Sequence, residues 1–167
     1  VGAQVTLRKE KAADLLKKRE VLREMIENSI PGLYICGAYQ FLGIYYKEAD
    51  GTIIPGLNIL DLYTENPGAN HPRLIGNIAI DVPSRRNRSY TLVGFENHGG
   101  RTYLGKNVKP LGKVIKGVGN NGVDKTEGAI YKNSYGSYFH GPILPKNPQF
   151  ADLIIKLSLE KKYKKVI

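Results

Sequence analysis

Between Lys9 and Asn28 apolar residues recur at three- and four-residue steps: Ala12, Leu15, Leu16, Leu22, Met25 and Ile26. That spacing gathers them on one face of an α-helix, with lysines, arginines and glutamates on the other. Asn28-Ser29 and Pro31 stop the helix. The period then changes. Leu33-Tyr34-Ile35 is a short apolar run that suits a buried strand ending at Cys36. One glycine, Gly37, separates it from a second helical stretch, Ala38 to about Lys47. Helix, strand, helix is how an α/β fold with a parallel sheet reads in sequence.

Turn signals follow at Asp50-Gly51 and Pro55-Gly56, flanking Thr52-Ile53-Ile54. Leu57 to Tyr63 is apolar and extended, and Glu65 to Pro72 is a loop. Leu74 to Val82 and Tyr90 to Phe95 read as two strands of a hairpin whose tip is Arg85-Arg86-Asn87-Arg88. Glu96-Asn97-His98-Gly99-Gly100 is a tight polar loop directly after a strand. Val114 to Val118, Ala129 to Lys132 and Tyr135 to Phe139 complete the strands. The loop Gly117 to Gly122 is rich in residues that tolerate positive φ, but lacks the Gly-Lys-Ser/Thr ending of a phosphate loop. Asn147 as N-cap and Pro148 as first helical residue open a last helix reaching roughly Lys161.

A chain of 167 residues suits a single domain, 1–167, able to bury a core. Its one cysteine excludes an internal disulfide or a multi-cysteine zinc site and fits a reducing cytoplasm. No apolar run approaches the length of a membrane span, and Val1-Gly2-Ala3-Gln4 lacks the apolar core of a secretion signal. The net charge of +10 is spread over several segments, most with acidic neighbours. It reads as solvated surface, without a zinc-finger, helix-turn-helix or aromatic pattern to indicate nucleic acid.

Chemistry centres on the place where the strand meets the helix. A sharp strand-to-helix turn lifts a side chain clear of the sheet, and the helix N-terminus favours negative charge there. A thiolate at Cys36 would be stabilised and nucleophilic. A lone cysteine without context is more often core than catalyst, and both readings stand at this point. His140 lies at a strand end before Gly141-Pro142, an edge where α/β sheets carry active sites. It could take a thiol proton and return it to a leaving group, or simply be a hydrogen-bonded structural residue. His98 sits in the Gly-rich loop, and His71, beside Pro72, reads as solvated.

Tyr34-Ile35-Cys36-Gly37-Ala38-Tyr39-Gln40-Phe41-Leu42-Gly43 resembles the nucleophile motif of class I glutamine amidotransferases, in the cobyric-acid-synthase-like branch. The likeness continues through Gly56 to Glu65, Arg73 to Asn77, Gly94 to Tyr103, Gly117 to Gly122, Thr126-Glu127-Gly128, Tyr131 to Asn133 and Gly136 to Asn147. Asn97-His98-Gly99-Gly100 and the ending His140-Gly141-Pro142 to Asn147 are specific to the branch. Within it, the sequence is similar to the glutaminase subunits of lipid II isoglutaminyl synthases.

The resemblance implies an α/β, flavodoxin-like fold: a parallel-dominated sheet flanked by helices, with antiparallel strands added in the second half and N-terminal strands missing. It implies a glutaminase with Cys36 as nucleophile and His140 as its partner. Gly37 N–H would be one oxyanion donor, with Gly2 as remnant of the loop that supplies the second. Arg73 would hold the α-carboxylate of glutamine, Gln40 would lie near the substrate, and Asn97, His98 and Gly99 would line the pocket. The subunit itself would need no metal or cofactor. A Mur-ligase-like synthetase partner would use ATP and Mg²⁺ and bind lipid II, in the cytoplasm at the inner face of the membrane. The amidotransferase domain of a cobyric-acid-type synthetase and a shortened, non-catalytic partner-binding module are the alternatives. Pro142 stands where many class I enzymes have the glutamate of a triad, so a Cys–His dyad, or a third member from elsewhere, is expected.

Overall fold

The computed structural model describes residues 14–83 and 89–164. Gly2, the start of the first helix and the expected hairpin tip at Arg85 to Arg88 lie outside the described residues. Helix α1 spans Arg19–Glu27, preceded by helical residues 14–17 and an irregular Lys18. Only a narrow seam of its apolar face is covered. Ile26 is buried and Leu15 and Leu22 pack beside it, whereas Leu16 and Met25 are exposed. A helix resting on one neighbouring surface buries a stripe, not its whole apolar arc.

Strand β1 (Gly32–Ile35) leads through Cys36 into α2 (Gly37–Phe41). The long elbow helix expected from Ala38 to Lys47 is therefore one short helix followed by strand β2 (Tyr45–Lys47). The break falls at Gly43, a poor helix former that leaves room for Leu62. Gly43 lies so close to Leu62 that a Cβ there would meet its side chain and, at 2.6 Å, its carbonyl oxygen. Tyr45 and Tyr46 then favour extended backbone. β2 pairs with β3 (Ile53–Pro55), whose proline is tolerated because β3 is an edge strand. On the other side β2 pairs with β4 (Leu62–Glu65), which pairs with β7 (Arg101–Leu104), giving a sheet of order β3-β2-β4-β7.

The longest pairing is the hairpin of β5 (Leu74–Val82) and β6 (Tyr90–His98), in register from Leu74 opposite His98 to Val82 opposite Tyr90. β8 (Gly112–Lys116) and β9 (Thr126–Glu127) extend it on one side. A third sheet has the order β1-β11-β10, from β10 (Ala129–Tyr131) and β11 (Ser134–Ser137). After β11 the chain leaves this sheet and joins the hairpin's sheet as β12 (Phe139–His140), on the free edge of β6. Helices α3 (Ile143–Lys146) and α4 (Pro148–Tyr163) close the chain.

The mixed sheets and flanking helices form an α/β fold, but parallel pairing does not dominate among the described residues. Only β1–β11 and β2–β4 are parallel. The other pairings are antiparallel: short turns require it for β10–β11 and β2–β3, whereas β4–β7, β5–β8 and β6–β12 join strands distant in sequence.

Two main apolar clusters stabilise the layers. Ile78, Ile80, Val82 and Leu92 of the hairpin pack with Tyr135 and Phe139. Phe150, Leu153, Ile154 and Leu157 of α4, at helical spacing, cover them. The second cluster joins Ile26, Tyr39, Leu42, Leu57, Leu60, Leu62 and Tyr138, with Cys36 at its margin. Asn147 occupies the N-cap position of α4, yet its side chain does not cap the helix. Its Oδ1 accepts from Val93 N–H, and its Nδ2 donates to the carbonyls of Val93 and Ile143. A buried amide that can satisfy an exposed strand edge is worth more there than at a cap.

Gly56 tests the close packing beneath the elbow. A Cβ at this position would run into the carbonyl of Gly43, which is backbone and cannot swing aside. Gly56→Ala is expected to lower stability by about 1–3 kcal/mol, read as a fall in the urea unfolding midpoint. An unchanged midpoint would show that the two segments separate at little cost.

Candidate active site at the strand-to-helix elbow

Cys36 stands between β1 and α2 with φ 52° and ψ −109°. A β-carbon-bearing residue in that region costs on the order of 1–3 kcal/mol and persists only where surrounding structure enforces it. The enforcement is visible. The Cys36 N–H donates to the Ser137 carbonyl (2.9 Å), continuing the parallel ladder of β1 and β11, while the Cys36 carbonyl already accepts from Gln40 N–H (3.0 Å) within α2. Cys36 thus serves a strand on one side and a helix on the other. The first N–H groups of α2, starting at Gly37, have no partner within the helix.

The ladder that holds Cys36 also fixes the direction of His140. Ser137 ends β11, Tyr138 bridges, and Phe139-His140 pair with Glu96 and Phe95 of β6. Nucleophile and base candidates, distant in sequence, are therefore joined through three residues of crossover. The His140 Nε2 is buried and makes no hydrogen bond to the described residues. Burial, and then the Arg73 cation, hold its pKa below the usual imidazole value, so its basic form persists at neutral pH.

Arg73 immediately precedes β5, and the hairpin register brings it against the end of β6. Its Nε and Nη2 donate to Asn97 Oδ1 (3.2 and 2.8 Å), and Nη2 also reaches the Asn97 carbonyl (3.2 Å). Gly99 leaves room for the guanidinium: a Cβ there would sit 3.3 Å from Nη1. Arg101 ties the same corner from below, donating to the carbonyls of Gly99 (2.9 Å) and Pro72 (2.7 Å). Arg73, Asn97 and Gly99 are thus brought together at one corner. Asn97 orients the arginine and is itself on the exposed face of β6.

Two expected pocket residues sit deeper. Gln40 is 7% exposed and its Nε2 donates to the Tyr138 hydroxyl (3.0 Å). His98 is 1% exposed, with Nδ1 bonded to the Gly100 carbonyl (2.8 Å) and its ring stacked on Tyr138, centroids 3.5 Å apart and planes within 6°. Neither presents its side chain to an open pocket. Alternation explains His98: along β6 the residues Leu92, Gly94, Glu96 and His98 face inward, so His98 belongs to the covered side of a strand, not to a loop. Two cavities, of about 380 and 280 Å³, are lined by neither Cys36, Arg73 nor His140.

Sequence reasoning assigned no role to the residue that holds these parts together. The Tyr138 hydroxyl bonds Gln40 and Thr102 Oγ1 (2.6 Å), and Thr102 in turn bonds Thr64 (2.7 Å) across β4 and β7. Glu96 also went unassigned. Its carboxylate accepts from the N–H groups of Val118 (2.7 Å) and Gly119 (2.8 Å), closing the Gly117 to Gly122 loop. Burial raises the Glu96 carboxyl, opposed by those two N–H groups. His98 Nε2 lies 4.0 Å from Glu96 Oε2, but burial pushes the imidazole down to about 4, so no ion pair exists between them at neutral pH. The inward period of β6 marked both positions as buried. A glutamate and a histidine two residues apart on a covered strand face were the available signal. Among the described residues no group of three or more His, Cys, Asp or Glu is arranged to hold a metal ion. No described helix is long and apolar enough to cross a membrane.

The fold and this elbow define a glutamine amidotransferase domain. Residues 1–148 match the CobB/CobQ-like glutamine amidotransferase family, and the chain belongs to it. It is 49% identical over 149 residues to subunit GatD of the glutamine-hydrolyzing lipid II isoglutaminyl synthase of Staphylococcus aureus (strain N315), covering 89% of this chain and 58% of that protein. The GatD subunit of Streptococcus pneumoniae (strain ATCC BAA-255 / R6) is 46% identical over 152 residues, covering 91% of this chain and 56% of the relative. A probable cobyric acid synthase of Methanosphaera stadtmanae is 35% identical over 148 residues, 84% of this chain but 28% of that protein. The chain therefore spans little more than half the length of the GatD subunits it matches. In fold it is similar to a glutamine amidotransferase of Thermotoga maritima, with a TM-score of 0.51 at 21% identity over 94% of this chain and 60% of the other.

His98 gives a pH test of the buried cluster. Its folded pKa, about 4, lies below the ordinary value of 6.5. The unfolded chain thus binds a proton that the folded one refuses, and stability present above pH 6.5 is lost as pH falls toward about 4. The loss is on the order of 3 kcal/mol. Urea unfolding at pH 7.5 and 4.5 is expected to show a smaller acid loss in His98→Asn than in the parent. Equal losses would mean that His98 takes up a proton while folded.

Proposed function

We propose that this chain carries the glutaminase reaction of an enzyme that amidates the glutamate of lipid II to isoglutamine. The observation that carries the reading is the strained Cys36 elbow, joined by the Ser137–Phe139 crossover to His140, whose imidazole feels the cation of the Arg73–Asn97 clamp. Arg73 presents a planar fork suited to the α-carboxylate of glutamine, already aimed by Asn97. The Cys36 thiolate attacks the side-chain amide carbon, and Gly37 N–H stabilises the oxyanion. The second donor is assigned to Gly2, which lies outside the described residues. His140 passes the thiol proton to the departing ammonia, leaving a γ-glutamyl thioester on Cys36. It then takes a proton from water, which attacks the thioester and releases glutamate.

Ammonia released at the elbow is consumed by a synthetase of Mur-ligase-like class, which supplies ATP and Mg²⁺ chemistry and binds the lipid-linked acceptor in the cytoplasm. The names of the relatives at 49% and 46% identity support this acceptor over cobyric acid, since the cobyric acid synthase match is weaker and covers less of its relative. Co-purification separates the two: a Mur-ligase-like partner supports the lipid II reading, and a cobyric-acid-type synthetase overturns it. Against a non-catalytic scaffold stands the strain at Cys36, which a purely structural cysteine would not need.

Cys36→Ala is expected to lower glutamate release from glutamine by orders of magnitude. A diazo-ketone analogue of glutamine should label the parent at Cys36 and leave the variant unlabelled. Substantial hydrolysis by the variant would remove Cys36 from the reaction. Arg73→Ala, which loses a charged two-point contact, is expected to raise KM for glutamine about tenfold to a hundredfold. Because the Arg73 cation helps to depress His140, the acid limb of kcat/KM should also move to higher pH in that variant. A KM equal to that of the parent would place the α-carboxylate elsewhere.

A further inference from the structure

One buried group has no part in the reaction as derived. Glu127, at the end of β9, is 0% exposed, and its carboxyl reaches across to the crossover between β11 and β12. Oε1 accepts the Tyr138 N–H at 2.7 Å, and Ser137 Oγ lies 3.3 and 3.4 Å from the two carboxyl oxygens. The same Ser137 hydroxyl accepts the Phe139 N–H at 3.0 Å. Two successive backbone N–H groups of the crossover are thus held by a side-chain relay that starts at Glu127. On the other side, the Ser137 carbonyl accepts from the Cys36 N–H.

A strand that leaves one sheet and enters another gives up ladder partners at the crossing, and buried N–H groups left there cost free energy unless something accepts from them. Glu127 is what accepts. Burial pushes the Glu127 carboxyl up to about 8, so at neutral pH it serves the crossover as a protonated, uncharged acceptor. It stands at the place where the geometry of Cys36 and of His140 is set together.

We propose that Glu127 is a positioning residue for the catalytic pair: by fixing the Ser137–Phe139 crossover it sets the distance and direction of His140 relative to Cys36. This rests on the glutaminase reading above. It predicts a defect in the chemical step rather than in glutamine binding, because Arg73 and Asn97 are held by β5 and β6 and not by the crossover. Glu127→Gln keeps an oxygen for the Tyr138 N–H, whereas Glu127→Ala does not. The other titratable groups around the crossover are Glu96, Cys36, His98, His140 and Tyr138, with Arg73 at the clamp.

The test uses the full natural chain with its synthetase subunit, comparing parent, Glu127→Gln and Glu127→Ala. Glu127→Ala is expected to lower kcat about tenfold to a hundredfold, as small misplacements of reacting groups do, with KM for glutamine within about twofold of the parent. Glu127→Gln should recover most of kcat. A second readout needs no turnover. These 167 residues hold one cysteine, and the rate of iodoacetamide alkylation against pH, followed by mass spectrometry of the peptide that carries Cys36, reports its thiol. Its midpoint should rise toward the free-thiol value of about 8.5 in Glu127→Ala and return in Glu127→Gln. If Glu127→Ala does not fold, Ser137→Ala, which removes the relay to Phe139, should give the same shifts at smaller size. Unchanged kcat and alkylation midpoint in a folded variant would overturn the proposal, as would a Glu127→Gln as impaired as Glu127→Ala. If the parent itself releases no glutamate, the glutaminase reading fails, while the alkylation midpoint still decides the position of Glu127.

Discussion

Three sheets meet at Tyr138. Its backbone N–H is held by Glu127, its hydroxyl bonds Thr102 in the sheet of β4 and β7, and the same hydroxyl accepts from Gln40 in the elbow helix. Its ring lies flat on His98 at the end of β6 and edge-on to Tyr39, with centroids 5.3 Å apart. One residue therefore links the elbow helix after Cys36, the sheet of β4 and β7 and the last residue of β6, and it directly precedes the strand of His140. Burial makes every one of these contacts obligatory. The hydroxyl is desolvated enough for its pKa to rise well above the ordinary phenol value, so it stays protonated and acts only as a neutral partner.

Around this phenol the protein buries groups that water would otherwise stabilise. Glu96 and Glu127 are nearly or fully covered, as is His98. Backbone N–H groups compensate the carboxyls: Val118 and Gly119 for Glu96, Tyr138 for Glu127. These N–H groups belong to loops and a crossover that have no ladder partner. The arrangement solves two problems at once, since an unpaired N–H and a desolvated carboxyl are each costly alone. The result is a rigid frame behind a strained cysteine, and strain at Cys36 can be held only by a frame of that kind.

The buried cluster pulls stability in two directions with pH. His98, depressed to about 4, favours the folded state at neutral pH. Glu127, raised to about 8, remains protonated in the folded state after the unfolded chain has lost its proton near 4.5, so its contribution is lost as pH rises toward 8. The two effects overlap between about 4.5 and 6.5, where they oppose each other.

Local pattern was enough for much of the chain. Asn147 and Pro148 marked the start of the last helix, and two apolar runs flanking a polar tip marked the β5–β6 hairpin. The strand, the glycine and the helix around Cys36, together with the loop and ending motifs, also pointed to the family before any coordinates. What the sequence could not convey were effects of contact at a distance. The elbow helix gives way at Gly43 to a segment packed on Leu62, and Asn147 abandons its cap for the edge of β6. Strands far apart in sequence pair antiparallel, as β4 does with β7 and β6 with β12, and Gln40 and His98 turn inward to Tyr138 instead of toward an open pocket. The sequence by itself determined which residues are candidates for the chemistry, because Cys36, His140 and Arg73 lie in local motifs. Only the tertiary structure decided what aims them, because Tyr138, Glu96 and Glu127 act through hydrogen bonds between segments that no local period connects.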